Sequence, residues 1–167
     1  MNRLLSAAAL AALLAVPAAS LAQPMMPSPA REVGWTQNPG TKLPLDATFK
    51  DENGKTVRLG DYFGKRPVLL SLAYYECPML CGIALEGLAR SLRGFTLAPG
   101  ADFEVVTISF SPTEGPELAR GKKTNLVEAY GRKAEGEAGW HFLTGDETQI
   151  RRVTEAAGFR YRWDELQ

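Results

Sequence analysis

The segment Val68-Leu69-Leu70-Ser71-Leu72-Ala73-Tyr74-Tyr75 constrains the fold more than any other part of the chain. It is apolar almost without a break, with Arg66-Pro67 before it and Glu76-Cys77-Pro78 after it. A strand with one wet face alternates apolar and polar residues. A run this continuous predicts a central strand covered on both faces. Residues 103–110 (FEVVTISF) form a second strand of the same buried type. Between the two lies a helical pattern ending near Arg93. Leu85, Leu88 and Leu92 share one stripe, and Gly94 stands at the C-cap position. Strand, helix, strand in this order implies a parallel pair with a right-handed crossover.

The flanking segments extend the alternation. Ala47-Thr48-Phe49-Lys50 and Lys55-Thr56-Val57-Arg58-Leu59 bracket Asn53-Gly54, a hairpin signal. Gly60-Asp61-Tyr62-Phe63-Gly64 predicts a turn or short helical piece. A helix is expected over 114–130, with Leu118, Leu126 and Val127 at helical spacing and Gly131 closing it. Trp140-His141-Phe142-Leu143 predicts a third strand. Asp146 is placed to cap a helix that carries Ile150, Val153 and Ala157 on one face and ends at Gly158. The fold class expected is α/β, a three-layer sandwich.

The first residues read differently. Met1-Asn2-Arg3 is a positive start, residues 4–16 are an apolar Leu/Ala run, and Ser20-Leu21-Ala22 offers small residues to a signal peptidase. Residues 1–22 are therefore expected to be a secretory signal, in the style that delivers a bacterial protein to the periplasm. The rival is an uncleaved anchor, but a span needs about 20 apolar residues and this run stops at Pro17. Residues 23–42 are rich in proline and polar residues and are expected to be an extended arm; Met25-Met26 within it reads as an incidental pair. The domain proper is expected over 43–167. The chain has 167 residues, 45% hydrophobic and 23% charged, with a formal net charge of zero, so no basic excess asks for nucleic acid.

The chemistry concentrates in Cys77-Pro78-Met79-Leu80-Cys81, which holds both cysteines. The pair is expected at the carboxyl end of a parallel strand, where open α/β sheets place their sites. Pro78 suits a first helical turn, which puts Cys77 at a helix N-terminus, where free N–H groups favour the thiolate. Four residues of helix rise about 6 Å on nearly one face. A disulfide needs Cα atoms roughly 4.4–6.8 Å apart. The two sulfurs can therefore bond each other or turn toward one soft cation such as Cu(I). A purely structural disulfide closing so short a loop removes little unfolded-state entropy. Spacing alone does not separate a redox dithiol from a metal site.

Other candidates are weaker. His141, the only histidine, reads as a packed or edge residue more readily than as a ligand. Tyr74 and Tyr75 suit either a wall beside the cysteines or plain strand core, and Glu76 a solvated position. Ser71, Ser109 and Ser111 lack a G-x-S-x-G elbow, and neither a P-loop nor G-x-G-x-x-G is present.

Taken together, Gly64-Lys65-Arg66-Pro67-Val68-Leu69-Leu70, Tyr74-Tyr75-Glu76-Cys77-Pro78-Met79-Leu80-Cys81, Thr107-Ile108-Ser109-Phe110-Ser111-Pro112 and Phe142-Leu143-Thr144-Gly145 resemble the SCO/SenC family, in particular its bacterial C-P-M-L-C branch. The resemblance runs in order from about Leu43 to Trp163. It implies a thioredoxin-like fold and a role in assembling the CuA centre of cytochrome c oxidase. The CuA-bearing subunit is then the partner, with other copper chaperones or thiol reductants in support. It also implies that Cys77 and Cys81 are copper ligands and a redox dithiol, so that thiol–disulfide oxidoreductase activity is the alternative function. The family often has proline where Gly82 stands, and Asp-Pro where Ser111-Pro112 stands. Its histidine ligand follows the helix after Leu143-Thr144-Gly145. That position is expected beyond Gln167, as are the final hairpin and helix of the fold, and His141 does not match it.

Overall fold

A computed structural model describes residues 32–162. The signal, its cleavage site and Met25-Met26 lie outside the described residues. In chain order the elements are β1 (Gly34–Trp35), β2 (Thr48–Lys50), β3 (Thr56–Arg58), a 3-10 turn (Leu59–Tyr62), β4 (Val68–Ala73), α1 (Leu80–Arg93), β5 (Glu104–Ser109), α2 (Pro116–Tyr130), α3 (Lys133–Gly139), β6 (Trp140–Leu143), α4 (Glu147–Ala156) and β7 (Phe159–Arg160).

The centre is a three-stranded parallel sheet in the order β4-β5-β6, with Val68 opposite Glu104 and Val105 opposite Trp140. Alternation along β5 divides the core in two. Val105 points to a cluster with Leu85, Ala89 and Leu92 of α1, Ala119, Leu126 and Tyr130 of α2, and Trp140 and Phe142. Val106 and Ile108 point to the opposite cluster, with Phe49 and Val57 of the hairpin, Leu143, and Ile150 and Val153 of α4. Helices thus cover one face, and the hairpin with α4 covers the other. This is the expected three-layer α/β arrangement. No helix among the described residues is long and apolar enough to cross a membrane.

Several local expectations hold for the stated reasons. Asp146 caps α4, its Oδ1 accepting from the Gln149 amide at 3.0 Å. Gly131 ends α2 at φ 83°, and Pro116 opens it at the first turn. β2 and β3 pair around Gly54, at φ 80°, and Asp51 Oδ1 accepts from the Asn53 and Lys55 amides at 2.9 Å each.

Others need correction. β4 was expected at the centre of the sheet. Among the described residues it pairs only with β5, and five of its six residues are half-buried. The strand buried over five of its six residues is β5. An apolar run reports contact on both faces, not the number of paired neighbours. Gly94 closes α1 in the right-handed region at φ −76°, not as a left-handed cap. Beyond these expectations, the arm holds β1, which pairs antiparallel with β7, and Trp35 packs on Phe159 with centroids 5.6 Å apart. Gly158 permits this approach, because a Cβ there would lie 1.9 Å from the Thr36 carbonyl oxygen.

Candidate dithiol site

The chain leaves β4 at Ala73 and turns sharply before α1. The Cys77 amide donates to the Tyr74 carbonyl at 3.3 Å, which closes the turn. Tyr75 points into the core, 1% exposed, and its hydroxyl donates to the carbonyls of Thr107 at 2.8 Å and Leu143 at 3.0 Å. That anchor ties the turn to β5 and β6. Tyr74 stays half-buried, its ring 6.4 Å from Phe110. Tyr75 is thus strand core, Tyr74 packs beside Phe110, and Glu76 is exposed.

The helix starts later than the proline suggested. Met79 is the N-cap and Leu80 the first helical residue, so Pro78 precedes the helix and Cys77 lies before both. The electrostatic consequence survives the shift. The Cys81 amide, one of the unpaired donors of the first turn, donates to Cys77 Sγ at 3.4 Å. This bond, then that of the Met79 amide, pulls the Cys77 thiol below its ordinary range; a bond from the Cys81 thiol and the Leu80 amide add to it, against some cost from burial. Cys81 moves the other way. Burial pushes its thiol up, and Cys77 and the Glu114 charge push in the same direction, while a backbone bond at Tyr74 opposes them. Both cysteines are free and half-buried.

The pair is therefore asymmetric, with Cys77 prone to ionise and Cys81 held as the thiol. A measurable result follows. Iodoacetamide, followed by peptide mapping across a pH series, is expected to modify Cys77 first, with its rate rising at lower pH than an ordinary thiol's and Cys81 lagging. The sign is fixed because only the thiolate attacks, so a lowered pKa moves the reactive window down in pH. Equal profiles for the two residues would contradict the assignment.

Glu114 is a site residue that helical spacing alone places in α2. Gly115 is the N-cap and Pro116 the first residue of that helix, which leaves Glu114 in the loop. There it is 6% exposed and turned toward the cysteine turn. Its Oε2 accepts from the Tyr75 amide at 3.0 Å and the Ser109 hydroxyl at 2.5 Å, and its Oε1 accepts from the Glu76 amide at 2.7 Å. The Gly115-Pro116 pair was the available signal, since proline favours the first helical position. Ser111 is buried, and its hydroxyl bonds that of Thr113.

His141 does not join the cysteines. It lies on β6, with Nε2 3.1 Å from Glu104 Oε2 and its ring 4.4 Å from Tyr62. Glu104 opens β5 and also receives Arg66 at 2.5 Å. These groups lie toward the amino ends of the strands, whereas the cysteines follow the carboxyl end of β4. Among the described residues, no third His, Cys, Asp or Glu forms a metal-holding cluster with the pair. The apolar side chains of Met79, Leu80 and Ile83 beside the thiols in sequence are 63%, 72% and 61% exposed.

A dithiol placed between a parallel strand and a helix, in a three-layer α/β sheet, defines a thioredoxin-like dithiol protein. Comparison with known proteins narrows the class. The family model SCO1/SenC matches residues 37–167, and the chain belongs to that family. No match is found among curated proteins. Among solved structures, the chain is similar to a proposed electron transfer protein of Aquifex aeolicus VF5, at 26% identity and TM-score 0.59 over 74% of each chain. It is also similar to a proposed electron transport protein of the same organism, at 25% identity and TM-score 0.55, covering 74% of this chain and 73% of that one. Arabidopsis thaliana ScoI, solved with copper bound, shares the fold at 19% identity and TM-score 0.50, covering 66% of this chain and 62% of that one.

Proposed function

We propose that the chain is an exported copper-binding protein of the Sco type that holds Cu(I) through Cys77 and Cys81 for assembly of the CuA centre of cytochrome c oxidase. The observation that carries this reading is the pair itself. Two free, half-buried thiols are joined through the first turn of α1, and the first is set up to ionise. Two soft thiolates suit Cu(I), and ionisation of the second releases its proton as the metal enters. Family membership supports the assignment, and the copper bound in Arabidopsis ScoI fits it. Export to the periplasm rests on the charge, apolar run and small-residue site of residues 1–22.

The asymmetry of the pair favours a second reading, thiol–disulfide exchange. The Cys77 thiolate attacks a partner disulfide and forms a mixed disulfide. Cys81 then attacks Cys77, and the partner leaves with two electrons and, with one proton from Cys81 and one from solvent, as two thiols. One experiment separates the two. The reduced chain carrying one Cu(I) is mixed anaerobically with the reduced, copper-free CuA domain, and metal is measured on each protein after separation. Copper on the acceptor supports delivery. Copper that stays put, while the metal-free chain reduces the oxidised acceptor, supports exchange instead.

A further inference from the structure

The turn from Tyr74 to Cys77 leaves its two central amides, those of Tyr75 and Glu76, without partners inside the turn. Both are taken by one side chain. Glu114 Oε2 accepts from Tyr75 at 3.0 Å and Oε1 from Glu76 at 2.7 Å. The carboxylate is itself fixed, because Ser109 donates to Oε2 at 2.5 Å and the side chain is only 6% exposed. Ser109 ends β5, and its hydroxyl also accepts from the Ser111 amide at 3.0 Å. The clamp therefore runs from the central strand, through one carboxylate, to the two residues that precede Cys77. Two parallel N–H···O bonds set orientation as well as distance, and ionised acceptors form the stronger bonds.

We propose that Glu114 is the positioning residue of the dithiol, holding the Tyr74–Cys77 turn so that Cys77 faces Cys81 in the geometry that both metal binding and disulfide formation require. Glu114 touches neither sulfur. It acts by removing the freedom of the turn, so that ordering is already complete when a ligand or bond forms. The inference rests on the dithiol reading above and deepens it.

Glu114→Gln is the sharpest test, because an amide keeps one acceptor oxygen and cannot serve both N–H groups. Ser109→Ala is the graded comparison; it removes the bond that fixes the carboxylate but leaves both arms of the clamp. Two quantities are measured on the full chain. One is Cu(I) affinity, by competition with a chromophoric chelator. The other is the potential of the Cys77/Cys81 couple in glutathione buffers, where two thiols pass two electrons and two protons to oxidised glutathione, releasing two reduced glutathiones. Glu114→Gln is expected to weaken Cu(I) binding about tenfold. It is expected to lower the equilibrium constant for disulfide formation by a similar factor, a shift of about 30 mV toward the more oxidising side. Ser109→Ala loosens the carboxylate but keeps both arms, so it is expected to shift both quantities in the same direction by only about two- to threefold. If Glu114→Gln does not fold, Glu114→Asp, whose carboxylate falls one methylene short of the two amides, is held to the same thresholds. Values for the Glu114 variant within about twofold of the parent, or an equal shift in Ser109→Ala, would overturn the proposal. If the parent chain binds no Cu(I), the copper reading fails by itself and the potential alone decides the role of Glu114.

Discussion

Cys77→Ser and Cys81→Ser each lower the Cu(I) affinity of the reduced chain by more than about a hundredfold, beyond the range caused by loss of an outer-shell partner. A serine oxygen is a hard donor and stays protonated near neutrality, so each variant leaves one thiolate on a metal that needs two. The two variants differ in another respect. Cys77→Ser removes the thiol whose ionisation the first turn of α1 favours. Cys81→Ser removes the thiol whose ionisation burial opposes and leaves Cys77 reactive. Alkylation is therefore expected to become slow in the first and to persist in the second, while both lose copper. Competition titration checks the affinities. An affinity near that of the parent in either variant would place the metal elsewhere.

Lys123→Ala is expected to cost about 3–5 kcal/mol of folding stability, the usual penalty for stranding a buried charge. Glu52 and Lys123 are 6% and 7% exposed and form an ion pair at 2.6 Å. Lys123 also donates to the Glu137 carbonyl at 3.1 Å, and Glu52 Oε2 accepts from the Phe142 amide at 3.1 Å. One side chain from the β2–β3 loop thus satisfies an amide of β6 and binds α2. Removing the lysine leaves the carboxylate buried with one bond. The double variant Glu52→Gln with Lys123→Met keeps an acceptor for Phe142 and removes both charges, so it is expected to recover most of the loss. Urea unfolding measures both. No bond links Glu52 or Lys123 to the cysteine turn, so copper affinity in Lys123→Ala is expected to stay within about twofold while the chain is folded. A stable single variant would show that the pair is open to water.

The two cases mark where sequence reading works. The apolar stripe at Leu85 and Leu92, the β-branched run of β5 and the caps at Asp146 and Gly131 are local signals, and each places its element. The cysteines were placed by the same means, between a strand and a helix. What escaped depends on contacts between distant segments. Glu52 reads as a loop acid, and only folding brings it to Lys123. Glu114 looked helical until Gly115-Pro116 is taken as the start of α2. Helix α3 has almost no apolar periodicity, since its buried residues are Gly136 and Gly139. The pairing of β1 with β7 joins residues that no local pattern links. That β4 pairs with β5 alone among the described residues was hidden because apolarity measures burial and not pairing.

Anaerobic titration of the reduced full chain with Cu(I), in the presence of a competing chelator, before and after alkylation of both cysteines, shows whether the dithiol holds the metal. One tightly held copper per chain, lost completely on alkylation, is expected. Copper that remains after alkylation, or no copper held by the reduced chain, would contradict it.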